Sequence, residues 1–171
     1  GTGSELPVAD ISVSTTSLSF GDVEVGASET ASITISNTGT VPLLVWEISS
    51  SDSQFTVSPD FFGDEFGYFS PAGPDCLAYC SADVTVVFDP QEGGDQTGFL
   101  TISSNDPDRP VVTIEVAGVG LSVGDFDGDG SVGFSDFLMF AQAFGTNDTK
   151  FDIDGDGTVG FSDFLLFAAE F

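Results

Sequence analysis

Through residues 10–118 apolar and polar positions alternate in short runs, punctuated by Gly, Asn, Asp, Ser and Pro. Residues 30–36 read TASITIS, NTGT follows as a turn, and PLLVWEIS resumes the alternation. DISVS and LSFGDVEV set the same rhythm earlier, and DVTVVFDP, GFLTISSND and PVVTIEVAG continue it. A period of two sends successive side chains to opposite faces of a strand, so about seven short strands in an antiparallel β-sandwich are predicted. Val84, Val86 and Phe88 then share one face of their strand, as Ile33 and Ile35 do in theirs.

Beyond residue 120 the period changes from that of strands to that of helices. In residues 136–144 (DFLMFAQAF), Phe137, Leu138, Ala141 and Phe144 form a helical stripe, while Met139, Phe140 and Ala143 cover the other faces. Residues 163–171 (DFLLFAAEF) repeat the design. A helix apolar nearly all round must be buried nearly all round. Two such helices cover each other's inner faces, but a unit of ~50 residues has little else to cover the outer ones. The predicted class is mainly β: an N-terminal arm (1–9), a sandwich (10–120) and a small α-helical unit (121–171).

Charge narrows the partners. Against 28 Asp and Glu stand only Arg109 and Lys150, with no histidine, for a net charge of −26. Nucleic acid and anionic membranes recruit clustered Lys and Arg, so neither is an expected partner. No run of 18 apolar residues is present to span a bilayer. A chain opening on Gly1 fits one from which an export signal has been removed, or a segment expressed from that point. Cys76 and Cys80 in DCLAYC lack the spacing and partners of a zinc or thioredoxin site; a small-loop disulfide in an oxidising compartment is the preferred reading, with buried free thiols as its alternative.

The helical unit carries the candidate chemistry. Counting from Asp125, acidic residues fall at loop positions 1, 3 and 5 (Asp125, Asp127, Asp129), followed by Gly130, Ser131 at 7 and Asp136 at 12. The second copy has Asp152, Asp154, Asp156, Gly157, Thr158 and Asp163 in phase. This is the spacing of an EF-hand calcium loop, in which alternate side chains of a tight turn converge six to eight oxygens on the ion. A lone DxDxDG can be a solvated turn. Two copies identical at 15 of 20 positions point to two calcium ions in 121–171. Without cations the clustered carboxylates would repel one another.

The repeat DxDxDGxVxxxDxL, from Asp125 to Leu138 and from Asp152 to Leu165, resembles the type I dockerin, a module of two loop-helix halves. The resemblance implies recognition of a cohesin domain through loop positions 10 and 11, here Phe134 and Ser135, with copies Phe161 and Ser162. Cellulosomal dockerins carry hydroxyl pairs followed by Lys or Arg, and this chain departs from them. Phe140 and Phe167 are added as interface candidates because of the all-round apolarity. SLSFGDVEVG, TITISNTGTVPLLV, VTVVFDP, GFLTISSNDPDRP and TIEVAGVG together resemble the immunoglobulin-like modules of the abnormal-spindle and Hydin type, common in secreted bacterial proteins, and imply a spacer or adhesive sandwich.

Two further stretches raise expectations. Residues 58–83 form a long loop rich in aromatics (Phe61, Phe62, Phe66, Tyr68, Phe69, Tyr79) and acids, expected either to dock elsewhere or to lie as a lid on its own sheet. Asn105, Asp106 and Asp108 in SNDPDRP read first as a hairpin turn, with a further calcium near Asp106 and Asp108 as the alternative. No nucleophile–base pair or phosphate loop is present, so an enzyme is not expected. The combined expectation is a secreted or cell-surface calcium-binding structural protein of a bacterium or archaeon. Because no catalytic module accompanies the helical unit, self-association into a filament or surface layer is the first expectation, and anchoring to a separate cohesin the second.

Overall fold

The computed structural model describes residues 6–58, 67–71 and 80–171. Nine strands precede two helices: β1 (Ile11–Val13), β2 (Ser17–Glu24), β3 (Glu29–Asn37), β4 (Leu43–Ser50), β5 (Phe55–Ser58), β6 (Tyr68–Phe69), β7 (Ser81–Phe88), β8 (Gly94–Ser104), β9 (Val111–Leu121), α1 (Phe134–Ala143) and α2 (Phe161–Glu170). They form a four-stranded sheet in the order β1-β3-β7-β5 and a five-stranded sheet in the order β2-β9-β8-β4-β6. The chain divides into two compact units: 1–20, 29–88 and 97–117 in the first, and 21–28, 89–96 and 118–171 in the second.

In the first unit the alternation becomes register. β3 pairs antiparallel with β7 so that Ile33 faces Val84 and Ala31 faces Val86, and β5 sets Phe55 opposite Phe88. Ile33, Ile35, Val84, Val86, Phe55 and Phe88 are all completely buried. Phe55 and Phe88 stack at 4.7 Å between ring centroids, and the Phe20 ring from the other sheet leans on both. Burying side chains of this size stabilises by about 1.5–3 kcal/mol each, which makes the period-two pattern decisive for the register.

The long loop expected over 58–83 is not loop throughout. Tyr68 and Phe69 form β6 and pair with Leu44 and Leu43, which buries Phe69 and leaves Tyr68 exposed. A two-residue edge strand carries no alternation long enough to detect. Phe61, Phe62, Phe66, Tyr79 and the acids Asp60, Asp64, Glu65 and Asp75 lie outside the described residues, as does Cys76. Cys80 is disulfide-bonded.

The turn at residues 104–110 settles as a turn, because its acid is already engaged. Asp106 is buried and accepts hydrogen bonds from the N–H groups of Ile11, Asp108 and Arg109 at 2.8–3.0 Å. The Arg109 Nε lies 3.7 Å from the same carboxylate, and Nη2 pairs with Asp10. Burial by itself pushes the Asp106 carboxyl up, but these N–H groups and the guanidinium outweigh it and hold the carboxyl below the usual range. A cation at Asp106 would have to displace an arginine, so the further calcium expected as an alternative there is withdrawn.

Candidate metal centre

The second unit is organised around phenylalanine. Phe126, Phe140, Ala143, Phe151, Val159 and Phe167 are buried together, with Val132, Phe137, Met139, Ile153 and Phe164 packed against them. Phe140 and Phe167, equivalent positions of the two helices, stack at 5.5 Å and 10°, and each is only 1% exposed. Both were expected at a partner surface. They are the centre of this core instead, because the face that carries them is the one the helices turn toward each other.

Each helix begins two residues earlier than its apolar run suggests, because the loop's last ligand position lies inside the first turn. Asp136 sits at the third position of α1 and accepts the Gly133 N–H at 2.8 Å; Asp163 accepts the Gly160 N–H at 2.6 Å in α2. A carboxylate there satisfies an orphan N–H and the helix dipole together. Asp136 also accepts from Phe126 and Asp127 at 2.7 and 2.9 Å, and Asp163 from Asp154 at 3.0 Å. For both, burial pushes the carboxyl up, yet the converging N–H groups prevail and hold it below the ordinary carboxylate value.

The loops wind as calcium loops do. Gly130 and Gly157, at position 6, have φ of +92° and +93°, a conformation that a side chain would strain. Gly130 N–H reaches Asp125 Oδ2 at 2.9 Å and Gly157 N–H reaches Asp152 Oδ2 at 2.9 Å, so the first acid of each loop ties down its sharpest turn. Ligand-capable oxygens of Asp125, Asp127 and Asp136 lie within 4.8 Å of one another, as do those of Asp152, Asp154 and Asp156. Asp129 is turned to the N–H and hydroxyl of Ser131, and Asp156 accepts the Thr158 N–H.

These residues fit a hard divalent cation. The donors are all oxygen, and the Oδ1 of Asp152 is buried with no hydrogen-bond partner among the described residues, a costly arrangement that an ion would relieve. Asp127 is pushed up by desolvation and by the like charges of Asp129, Asp136 and Asp125, which outweigh the Asp129 N–H. Such crowding is what a bound cation reverses.

The outer faces of the helices stay uncovered within this unit. Phe134 and Phe161 are 66% and 65% exposed, and Phe144, Phe171, Leu138, Leu165 and Leu166 are exposed as well. Phe134, Phe137, Phe164, Phe167, Ala168 and Phe171 line an open groove of about 370 Å3. The apolar stripe announced this surface, although Phe171 and Ala168 were not singled out. Lys150 was also missed: its ammonium donates to the Phe126 carbonyl at 2.6 Å and lies over the Phe151 ring, tying the start of the second repeat to the first loop. The single cation among residues 121–171, whose net charge is −9, was the available signal.

Residues 123–170 match the family model of the dockerin type I domain, which accounts for the two loop-helix repeats and the calcium-type acids. Modules of this family bind calcium and engage a protein partner, typically a cohesin, in secreted and cell-surface proteins. No curated protein matches the chain. Among solved structures, it is similar to a protein of unknown function from Porphyromonas gingivalis (21% identity, TM-score 0.53), over 69% of this chain and 50% of that one. It is also similar to the ASH / PapD-like domain of human CEP192 (16% identity, TM-score 0.53), over 71% of this chain and 92% of that one. Likenesses at this identity concern the β fold alone. This chain spans half the length of the first.

Proposed function

We propose that the protein is a non-catalytic, calcium-dependent anchoring protein of a bacterial cell exterior, whose dockerin-type unit docks into a separate cohesin domain. The carrying observation is the pairing of two in-phase acid loops with helices that bury Phe140 and Phe167 while leaving Phe134 and Phe161 about two-thirds exposed. Calcium sets the loops, the loops set the helix starts, and the helices present an apolar face. Exposed aromatics on this scale are costly for a free monomer and typical of an interface. Two ions, one per loop, are part of the proposal.

Within it, the N-terminal strands are an immunoglobulin-like sandwich of the abnormal-spindle and Hydin type, serving as spacer or adhesive module. The family match favours cohesin anchoring over the filament expected first, which gains no support from it. Phe134 with Ser135, and Phe161 with Ser162, are the recognition positions. The test is capture of the full chain on immobilised cohesins in calcium and in chelator. Calcium-dependent capture, lost in a Phe134→Asp, Phe161→Asp double variant that still binds calcium, is the expected result. Calcium-driven polymers formed without any cohesin would restore the filament.

A further inference from the structure

The two position-6 glycines share a backbone conformation but not an environment. Around Gly157 nothing among the described residues lies within 4 Å of where a Cβ would stand. Gly130, in contrast, packs backbone to backbone on the turn before β8. A Cβ on Gly130 would stand 3.1 Å from the Gly94 Cα, and one on Gly93 would stand 2.9 Å from the Gly130 carbonyl oxygen. The calcium-type turn does not need that contact, since the second loop makes the same turn without it.

The seat is itself part of the second unit, which includes 21–28 and 89–96. A Cβ on Gly120 would stand 2.1 Å from the Glu92 carbonyl oxygen, so β9 passes directly beneath the turn. The Val25 N–H reaches the Leu121 carbonyl at 2.9 Å, and the Asp125 N–H reaches that of Ser122 at 3.2 Å. A short path follows. Asp125, in the metal-type cluster, holds the Gly130 N–H, and Gly130 lies on Gly93 and Gly94. In the second loop the matching path from Asp152 ends at Gly157.

We propose that the Gly93–Gly94 turn is a conformational latch for the first calcium loop only: calcium bound at Asp125, Asp127 and Asp136 orders the 89–96 turn, and the seated turn raises the affinity of that loop. The inference rests on the calcium reading above. By linkage the effect is reciprocal, because whatever calcium does for the turn the turn does for calcium. Backbone contact at glycine suits this role, as a packed backbone cannot yield as a flexible side chain does.

The test is hydrogen exchange by mass spectrometry on the full chain during a calcium titration, with Gly93→Val as the variant. Uptake over 89–96 should fall with the same midpoint as uptake over 125–136. In Gly93→Val the first-loop midpoint should rise roughly fivefold or more, while that of 152–163 moves less than twofold. The latch is overturned if 125–136 gains protection and 89–96 does not, or if the variant shifts both loops equally. Should neither loop gain protection, the calcium reading fails and the latch with it. Were Gly93→Val unable to fold, the wild-type titration still decides.

Discussion

The two calcium-type loops are close to sequence copies, yet the molecule treats them differently. In the first, Asp125 accepts three backbone N–H groups and Gly130 rests on Gly94. In the second, among the described residues, Asp152 leaves a buried Oδ1 without a partner and Gly157 stands open. Local sequence thus sets the winding of a loop, while its neighbours decide whether the position-6 glycine is packed. The packed glycine accompanies a difference in connectivity: the first loop follows β9 after three residues, whereas the second is reached through the 145–150 link.

The strongest way to break the comparison is to remove calcium altogether. Both loops frame one core through Phe126, Phe151, Val159 and the stacked Phe140 and Phe167, so chelation should destabilise the second unit. Calcium at a thousandfold excess over its Kd contributes about 4 kcal/mol per site. Thermal circular dichroism with and without chelator should show a calcium-dependent transition beside a β transition that does not move. A transition that chelator left in place would count against calcium in either loop.

Next in size, Phe140→Ala and Phe167→Ala should each destabilise the unit by about 3–5 kcal/mol. Because the rings stack on each other, the double variant should cost less than the sum of the two in denaturant melts. Full additivity would contradict the shared core. Smaller effects come from Gly130→Ala and Gly157→Ala, each strained by about 1–2 kcal/mol at its positive φ. Gly130→Ala should cost more, since its added methyl also meets Gly94; equal losses would remove the asymmetry.

A last effect, of comparable size, lies in the first unit and serves as a control outside both loops. The Asp106 carboxyl is held below the ordinary carboxylate value, so its stabilisation is present above that ordinary value and fades as pH falls through the lower folded one. Acid titration of stability should show this loss, about 1–3 kcal/mol, and Asp106→Asn should flatten it. Calcium should leave that profile unchanged.

Much of this was legible beforehand because periodicity and fixed spacing are local. Ile33, Ile35, Val84, Val86 and Phe88 announced the β core by alternation, and all are buried. The aspartates announced both loops because a tight turn converges alternate side chains whatever surrounds it. Phe140 and Phe167 resisted such reading, for a helix apolar on every side does not say which side faces its partner. Tyr68 and Phe69 resisted it too, as a two-residue strand exists only through its pairing with β4.

By itself, then, the amino-acid order determined the strand rhythm, the two acid loops, their glycine turns and the helices that follow. Tertiary structure alone decided that Phe140 and Phe167 meet in a core while Phe134 and Phe161 face outward. It also decided that Arg109 occupies Asp106, and that Gly130 but not Gly157 finds a backbone seat. Those outcomes depend on contacts between residues distant in sequence, which no local period encodes.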